Sequence, residues 1–387
     1  MASKNLAQLY NEEILLLGYH AWGNIGDDAI LVSLINILDR LFNSNLLVDI
    51  YLRNNYMLKN FENPKKISIR FITSFKDLFC TLVRVRKIII DGGDHLHDYC
   101  SLRKLFKTFI ILFALAILAR VTFKDLLLIN NGFRAKTVLG AVLIKCVLVF
   151  TKCISTRDKF SYALLSRLIS KPVIQGFDTA IELHEQFRNN SSVFVNNTPN
   201  KIGISLTPVF MNFFSAPSKD DLLAEALASN IRKIFEKFKN VELYLLAFDN
   251  NPKKGDLIII KKIIRRLPHT LRGKIKVISY NGNIKDFLSN FSQLDIIICC
   301  KYHSVIFSYL LSKPMLVINY QPKNAALVKE IMLPNKAMVS LEEIMKTNDV
   351  LASMLLQLLK NPSSHCAKLP ISEAIRRAFN GVQKCLK

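Results

Sequence analysis

The sequence predicts an α/β protein with two Rossmann-like, doubly wound domains facing a cleft, followed by a helical C-terminal segment. The first reason is length, because 387 residues exceed the roughly 100–200 residues of one domain. The second is that short apolar runs alternate with longer segments of helical periodicity, the pattern of a parallel sheet covered by helices. The third is that this alternation stops in a stretch rich in Asn, Ser and Pro and then begins again.

The first domain is predicted over residues 1–188. Its first strand is the apolar run that ends at Leu17, and an amphipathic helix follows from Asp27. Four more strands are predicted from apolar runs: Leu46–Leu52, Lys87–Asp91, Asp125–Asn130 and Lys152–Thr156. Because helical segments separate these runs, we expect the strands to lie parallel in one sheet.

The second domain is predicted over residues 201–340, after a linker at 189–200 and before a helical segment at 341–387. Five strands are predicted in it: Lys201–Leu206, Val241–Phe248, Lys276–Tyr280, Leu294–Cys299 and Pro314–Tyr320. In open α/β sheets, ligands bind beyond the carboxyl ends of the strands. The residues that follow each strand are therefore the first candidates for function.

The composition is strongly basic, with a formal net charge of +23. The second half carries more of this charge, +15 for residues 186–387 against +8 for residues 1–185. An excess of this size favours an acidic partner: a phosphorylated substrate, an anionic membrane surface or a nucleic acid. Nucleic acid is not expected, because the basic residues are not interleaved with aromatic residues that could stack on bases.

The cysteine pattern predicts a cytoplasmic protein with reduced, structural thiols, because the eight cysteines are scattered and form no CxxC pair. The N-terminal residues contain acids and no apolar stretch, unlike a secretory signal. The membrane-spanning candidate, Phe109–Ala119, has 11 residues, fewer than the roughly 20 that a spanning helix needs. A buried helix is expected there.

The stretch "GYHAWGNIGDDAIL", Gly18–Leu31, joins the first strand to the first helix. Gly23 and Gly26 lack a Cβ, so backbone N–H groups of the turn can approach a ligand closely. The following helix adds unpaired N–H groups and the positive end of its dipole, which together suit an anion. The alternative is an ordinary turn in which Asp27 serves as the N-cap.

The strand Lys87–Asp91 is followed by the glycine pair Gly92 and Gly93. Four potential metal ligands come next: Asp94, His95, His97 and Asp98. Histidine and carboxylate groups can hold a metal ion, but only if the segment brings them to one point. We favour the other interpretation, in which the glycines let the backbone approach a substrate and one acid does the chemistry.

Cationic residues follow three other strands. Arg157 comes after the strand that ends at Thr156, Lys301 and His303 follow the strand Leu294–Cys299, and Lys323 follows the next strand. A guanidinium matches a carboxylate or phosphate, and cations at successive strand ends of one sheet converge on one edge. The alternatives are a surface charge pair for Arg157 and a core position for His303.

The order of these motifs is similar to that of the polysaccharide pyruvyl transferase family. The similar stretches are "GYHAWGNIGDDAIL", "IIIDGGDHLHD", "STRDKFSYALL", "KIGISL" and "KYHSVIFSYLLSKPMLVINYQPK", spread over Leu15–Leu327. The resemblance implies a fold like that of the two-domain GT-B glycosyltransferases. It also implies transfer of pyruvate from phosphoenolpyruvate onto hydroxyls of a cell-surface sugar, as a ketal, with no metal and no cofactor besides the donor substrate.

The resemblance implies roles for ten residues. His303 is the expected proton-transfer group and Asp98 the second candidate. The donor is expected on Arg157, Lys301, Lys323, Gly92 and Gly93. The acceptor saccharide is expected on Asn24, Gly26 and Asp27. The chain departs from the family at two positions. Lys301 stands where the family usually has an arginine, and Thr207 stands where the family commonly has an arginine.

Two other functions fit the sequence: a GT-B-like glycosyltransferase that uses a nucleotide sugar, and a non-catalytic module that binds saccharides or anions. A lipid-linked acceptor and peripheral association with the inner face of a membrane are also expected. The stretch Asp256–Lys276 places Lys261, Lys262, Arg265 and Arg266 on one helix face, which could meet anionic lipid. The alternative is an ordinary outer helix of the second domain.

Overall fold

The computed structural model describes residues 12–42, 46–52, 64–98, 102–187 and 200–387. The predicted linker, residues 189–200, lies outside them except for Asn200. The chain forms two compact units. Unit 1 comprises the described residues of Met1–Trp22, Asp27–Glu182 and Ser372–Lys387, and unit 2 comprises those of Gly23–Gly26 and Leu183–Ile371. The predicted domain boundaries divide the chain in sequence order. In the structure, Gly23–Gly26 from the N-terminal half groups with unit 2, and the C-terminal residues Ser372–Lys387 group with unit 1.

The sheet of unit 1 is parallel throughout, with strand order β3-β2-β1-β4-β6-β8-β9. Its strands are β1 (Glu12–Leu17), β2 (Leu46–Tyr51), β3 (Ile67–Ile72), β4 (Lys87–Asp91), β6 (Asp125–Asn131), β8 (Cys153–Thr156) and β9 (Ile174–Gln175). A separate parallel pair consists of β5 (Leu96–His97) and β7 (Phe133–Arg134). The order reverses between β1 and β4, where a doubly wound sheet places its ligand site.

Helices cover both faces of this sheet. They are α1 (Ile25–Leu41), α2 (Phe75–Arg84), α3 (Leu102–Val121), α4 (Val138–Val149), α5 (Lys159–Leu168) and the C-terminal α16 (Ile371–Leu386). Helices α2 to α5 pack with the sheet in one apolar cluster, and α1 and α16 pack in another. Strands alternate their side chains between these clusters, so Leu15 faces the first and Ile14 and Leu16 face the second.

Unit 2 has a second parallel sheet, with strand order β12-β11-β10-β13-β14-β15. Its strands are β10 (Lys201–Ser205), β11 (Glu242–Ala247), β12 (Ile275–Ser279), β13 (Ile296–Cys299), β14 (Met315–Asn319) and β15 (Met338–Ser340). The central strand β13 is fully buried. Cys299 and Cys300 lie at its end, with 0% and 3% of their surface exposed, as expected of buried strand residues.

The helices of unit 2 pack around this sheet. They are α6 (His184–Phe187), α7 (Val209–Phe213), α8 (Lys219–Lys237), α9 (Leu257–Arg266), α10 (His269–Arg272), α11 (Ile284–Ser292), α12 (Tyr302–Leu310), α13 (Pro322–Glu330), α14 (Leu341–Lys346) and α15 (Val350–Lys360). Short 3₁₀ turns lie at Asn335–Ala337 and Pro362–His365 in unit 2, and another, Thr179–Leu183, lies where the chain passes from unit 1 to unit 2. Phe248 contacts the rings of Phe287 and Phe307 in a cluster that anchors α11 and α12.

The fold class is confirmed in both units: two parallel, doubly wound sheets covered by helices. Every predicted strand is present within one or two residues of its expected bounds. Strand β3 was not predicted from the sequence, because it is an edge strand whose polar and apolar residues alternate. Its Arg70 pairs with the buried Asp49 of β2, at 2.6 Å from Nη2 to Oδ2.

The apolar run Phe109–Ala119 lies within α3, and the expectation of a buried helix is only half right. Leu112, Ala116 and Ala119 are buried, whereas Ile110 and Ile111 are 62% and 68% exposed. Among the described residues, no helix combines the length and the apolar character needed to cross a membrane.

One cysteine pair also differs from expectation. Cys153, at the start of β8, is joined to Cys385 of α16 by a disulfide, so the prediction that every thiol is reduced is wrong for this pair. The two positions are separated by 232 residues, and no sequence spacing indicates them. The disulfide ties the C-terminal helix to the sheet of unit 1.

Candidate active site

The stretch Gly18–Leu31 is called the glycine turn here, and its middle segment, Gly23–Gly26, belongs to unit 2. The turn Gly23–Gly26 lies along the loop that follows β11, where the N–H of Ile25 donates to the carbonyl of Phe248 at 3.0 Å. Asn24 forms an antiparallel bridge with Asp249 of the same loop. The turn is therefore held by backbone hydrogen bonds at the carboxyl end of the second sheet.

His303 lies against this turn. It is the second residue of α12, which begins directly after β13. A Cβ built on Gly26 would lie 2.6 Å from Cε1 of His303 and closer still to two other ring atoms, so only glycine fits beside the imidazole. The side-chain Oδ1 of Asn24 accepts from the N–H of Gly26 at 3.1 Å and fixes the turn in this position. Two separate sequence motifs thus meet at one point.

Lys301 forms an ion pair with Asp256. Its Nζ lies 3.1 Å and 2.9 Å from the two carboxylate oxygens, and Asp256 is fully buried. Asp256 also accepts from the N–H groups of Phe248 and Asp249, both at 2.9 Å. Burial raises the pKa of Asp256, and Lys301 lowers it only in part. This ion pair neutralises much of the positive charge of Lys301, which was predicted to bind the donor.

Lys323 is placed among aromatic rings of unit 2. It lies in the first turn of α13, with its Nζ 5.9 Å from the ring centroid of Tyr302 and 5.9 Å from that of Phe213. Such distances suit cation–π attraction. Tyr302 in turn packs edge-on against His303, with centroids 5.3 Å apart. Lys323 and His303 therefore border the same aromatic ring.

The N-termini of α12 and α13 follow the neighbouring strands β13 and β14 at one sheet edge. A helix N-terminus presents the positive end of the helix dipole. Together with Lys323, the two N-termini can bind a small anion, and the imidazole of His303 can exchange a proton with a group held there. This edge of unit 2 is the candidate site for an anionic substrate.

Unit 1 carries a second group of polar residues, at the carboxyl ends of β1 and β4. His20 and Asp91 form a buried ion pair, 3.2 Å from Nε2 to Oδ1, with 1% and 3% of their surface exposed. Burial lowers the pKa of His20, but the attraction of Asp91, helped by Asp28, outweighs it and the pKa is raised. A Cβ on Gly18 would lie 2.5 Å from both groups, so glycine allows the pair to form.

His95 lies beside this pair. Its Nε2 is 3.2 Å from the carbonyl oxygen of Asp91, and the ring of Tyr19 stacks on it with centroids 5.1 Å apart. Burial lowers the pKa of His95 despite this hydrogen bond and the nearby carboxylates. Two neighbouring imidazoles of unit 1 thus have pKa values shifted in opposite directions.

A cavity of about 230 Å³ opens next to these residues. It is lined by Tyr19, Asp94, His95, His97, Leu105, Lys107 and Thr108. A recess of about 10 Å³, room for a single water, lies beside it. The recess contains the predicted residues Asp27, Gly92 and Gly93 together with His20 and Asp91. The cavity offers carboxylate, imidazole and ammonium groups next to an aromatic ring, which suits a ligand with several hydroxyls.

Arg157 is engaged in a buried ion cluster of unit 1. Its Nη2 lies 2.6 Å from Oδ1 of Asp94 and its Nη1 lies 3.7 Å from Oδ2 of Asp178. Arg157 is 2% exposed. Burial raises the pKa of Asp178 to about 6, although Arg157 opposes the shift. This geometry favours a structural role for the guanidinium over the predicted contact with the donor.

Asp98 holds the two residues that precede α4, the second of which, Thr137, is the N-cap of that helix. Its Oδ1 accepts from the N–H of Lys136 at 2.6 Å, and its Oδ2 accepts from the N–H and hydroxyl of Thr137, both at 2.7 Å. Burial raises the pKa of Asp98, but these hydrogen bonds outweigh it and the pKa is lowered. A carboxylate held in this way is a poor proton carrier, so the geometry favours a structural role.

The ten predicted residues therefore fall into two groups. Unit 2 brings together Asn24, Gly26, Lys301, His303 and Lys323. Unit 1 contains Asp27, Gly92, Gly93, Asp98 and Arg157, of which the first three share the recess. Sequence reasoning missed His20 as a candidate, although a histidine just past a strand end, within the glycine turn, was a usable signal. Among the described residues, no three His, Cys, Asp or Glu side chains converge on a point that could hold a metal ion.

Solved structures share the fold at low sequence identity. The UDP-GlcNAc 2-epimerase of Neisseria meningitidis, bound to UDP-GlcNAc, has a TM-score of 0.61 and 13% identity over 97% of this chain and 99% of its own. The UDP-GlcNAc 2-epimerase of Methanocaldococcus jannaschii has a TM-score of 0.58 and 12% identity over 97% and 99%. The sucrose-phosphate synthase of Thermosynechococcus elongatus has a TM-score of 0.51 and 11% identity over 97% and 95%. These similarities confirm a GT-B-like fold.

At the level of sequence, no curated protein matches the chain. The sequence model of one family does: polysaccharide pyruvyl transferase, over residues 24–322. The matched range begins at Asn24 of the glycine turn and ends at Pro322, and it therefore includes the whole Gly26–His303 contact.

Proposed function

This chain belongs to the polysaccharide pyruvyl transferase family, an enzyme family, and from that premise we propose that it transfers pyruvate from phosphoenolpyruvate to a saccharide as a ketal. The acceptor is a lipid-linked saccharide of cell-surface polysaccharide synthesis, modified at the inner face of a membrane. The donor binds at the candidate anion site of unit 2. His303 is the proton-transfer group.

The observation that carries this proposal is the contact between Gly26 and His303. A lone histidine is usually a core residue, but His303 stands at a strand end, in the first turn of a helix. The glycine turn is held against its ring by hydrogen bonds to the loop after β11. A fixed imidazole beside helix N-termini and Lys323 is suited to a small anion that must be protonated.

The proposed chemistry begins with protonation of the methylene carbon of phosphoenolpyruvate. That carbon becomes a methyl group, and the carbon that bears the phosphate oxygen becomes oxocarbenium-like. One sugar hydroxyl adds to it, the bond to the phosphate oxygen breaks, and a second hydroxyl closes the ketal. Of the two hydroxyl protons released, one replaces the proton given to carbon and the other leaves with phosphate. Proton transfer by a positioned imidazole contributes about 10²–10⁴-fold.

We infer that the cavity of unit 1 takes the acceptor saccharide. Asp94 and His97 can hydrogen-bond sugar hydroxyls, and the ring of Tyr19 offers an apolar face. The pair of His20 and Asp91 lines the adjoining recess. Asp27, predicted to orient the acceptor, lines that recess as well.

The test measures phosphate release from phosphoenolpyruvate in the presence of a panel of free mono- and disaccharides. We expect release to depend on a saccharide and to fall at least about 10²-fold in His303→Ala. The matched control is His269→Ala, because His269 is exposed on α10 and distant in sequence from the site. The control should keep the wild-type rate.

Thermal unfolding gives a second, acceptor-free measurement. Phosphoenolpyruvate should raise the Tm of the wild-type protein, as any ligand that binds only the folded state does. Stabilisation by UDP-GlcNAc and not by phosphoenolpyruvate would contradict the proposal and support the nucleotide-sugar glycosyltransferase instead. Wild-type phosphate release in His303→Ala would contradict the role of the imidazole.

A further inference from the structure

Helices α3 and α4 are apolar on their outer sides as well as on the sides that pack against the sheet. In α3, exposed apolar residues recur at positions 106, 110, 111, 117, 118 and 121, which form one face of a helix. In α4, positions 138, 139, 142 and 149 do the same. We call the exposed side chains of Phe106–Val121 and Val138–Val149 the apolar face.

The apolar face is strongly exposed. Ile111 and Val121 on α3 are each 68% exposed, and Val138 on α4 is 83% exposed. Helix α3 packs beside α4, and both contribute to the same core cluster, so their outer sides are neighbours on one face of unit 1. A helix that is apolar all round is normally covered on every side.

The described residues carry most of their clustered exposed apolar side chains here. Of the 21 exposed large apolar residues among them, ten lie on α3 and α4, three lie on α2 (Phe75, Phe79 and Val83), and five lie in unit 2. Single exposed apolar residues are ordinary on a soluble protein, but a contiguous patch marks an interaction surface. We therefore expect the apolar face to be an interaction surface that another molecule covers.

The charged residues of α3 and α4 are all basic. Helices α3 and α4 contain no Asp or Glu, and residues 102–152 contain nine basic residues against one acid, Asp125. Lys107 and Arg120 on α3 and Lys145 on α4 are exposed among the apolar side chains. Lysine is depleted in protein–protein interfaces but common where an apolar surface meets anionic lipid headgroups.

We propose that the apolar face docks on an anionic lipid bilayer, with its apolar side chains among the acyl chains and its cations at the headgroups. The cavity of unit 1 adjoins this face, because Lys107 and Thr108 of α3 line it. Docking would therefore bring the cavity to the lipid surface, where a lipid-linked saccharide is presented. The statement about the saccharide rests on the proposed function, whereas the docking itself does not.

The basic helix α9, predicted from the sequence to meet lipid, is less suited. Its Lys262 and Arg266 both pair with Asp221 of α8, at 2.8 Å in each case. Ile259 and Ile263 of α9 face the core of unit 2. The helix thus has no outward apolar side comparable to that of α3.

The test is flotation of the full chain with vesicles of phosphatidylcholine alone or mixed in equal parts with phosphatidylglycerol. We expect binding to the mixed vesicles that weakens as salt is added. The double variant Ile111→Glu/Val142→Glu should lower partitioning about 100-fold, about tenfold for each exposed side chain withdrawn from lipid. Arg120→Gln/Lys145→Gln should lower it about thirtyfold at low salt.

The matched control is Leu222→Glu/Leu356→Glu, which alters exposed leucines of unit 2, 61% and 42% exposed, and should bind like the wild type. Failure of the wild-type chain to float at low salt, or an equal loss in this control, would overturn the docking. So would a change from dimer to monomer in the Ile111→Glu/Val142→Glu variant without any change in flotation, because a second copy of the chain would then cover the face.

The two proposals fail separately. Phosphate release with free saccharides does not need a bilayer, so the variants of the apolar face should retain it. Flotation without any turnover of phosphoenolpyruvate would contradict the proposed function alone. Turnover without flotation would contradict the docking alone.

Discussion

The substitution Gly26→Ala adds one methyl group and is expected to disable the enzyme. The new Cβ would lie 2.6 Å from Cε1 of His303, and closer to Nδ1 and Cγ, whereas carbon atoms in contact stay about 3.5–4.0 Å apart. The ring must therefore move by about 1 Å or more. Because Cγ is among the overlapped atoms, a flip of the ring does not relieve the clash, and either the side chain or the turn must shift.

A displacement of about 1 Å in a catalytic group costs about 10²-fold in rate. We therefore expect the kcat of Gly26→Ala for phosphate release to fall about 100-fold, together with a loss of about 1–3 kcal/mol in the free energy of unfolding from overpacking. Steady-state rates give kcat and KM separately, and urea unfolding shows that the variant is folded under assay conditions.

The control is Gly273→Ala. Gly273 has a φ of −69°, and a Cβ there has no atom within 4 Å, so this alanine should change neither rate nor stability beyond the usual small surface effect. A folded Gly26→Ala with the wild-type kcat would refute the claim that the turn positions His303. An equal loss in both variants would show that the effect is not specific to the contact.

Three further results follow from the geometry of unit 1. Asp98→Ala should lower the free energy of unfolding by about 3 kcal/mol, because three hydrogen-bond donors lose a charged acceptor; a kcat loss as large as that of His303→Ala would instead support the predicted proton transfer. Burial raises the pKa of Asp178 to about 6, above its pKa in the unfolded chain. Protonated Asp178 therefore stabilises the folded protein fully at a pH below the unfolded pKa, and this stabilisation is lost as the pH rises through 6. Asp178→Asn should therefore reduce the fall in stability between about pH 5 and pH 8 by about 1.5 kcal/mol in urea unfolding, and an unchanged fall would count against the shift. Gly18→Ala places a Cβ 2.5 Å from His20 and should weaken saccharide affinity, seen as a raised acceptor KM; an unchanged KM would separate the pair from the acceptor.

The sequence was sufficient to predict the central strands of both sheets but not every edge strand. Central strands such as β4 and β13 are buried on both faces, so their sequences are short continuous apolar runs that are easy to identify as strands. The edge strand β3 has a mixed pattern, and its place depends on pairing with β2. The grouping of α16 with unit 1 depends on packing against a sheet whose last strand lies about 200 residues earlier, which periodicity does not encode.

The site was predicted in its residue types and less well in its contacts. Strand-end reasoning found His303, the glycine turn and Asp94, but it did not predict that Asp94 pairs with Arg157, and it missed two other carboxylates near the predicted cations. Asp256 lies 45 positions from Lys301, and Asp178 lies 21 positions from Arg157. Each carboxylate draws its cation into an ion pair that only the fold creates. Local sequence identifies candidates, and tertiary contacts decide which of them remain available.

The measurement that tests the central claim most directly is the proposed reaction run in deuterium oxide with phosphoenolpyruvate and an active saccharide. We predict a pyruvyl ketal whose methyl group carries a single deuterium, because the third methyl hydrogen comes from solvent through His303. The product should be formed at the wild-type rate by His269→Ala and be nearly absent with His303→Ala. A saccharide product without a deuterated methyl group, or the same product at the same rate from His303→Ala, would contradict the account.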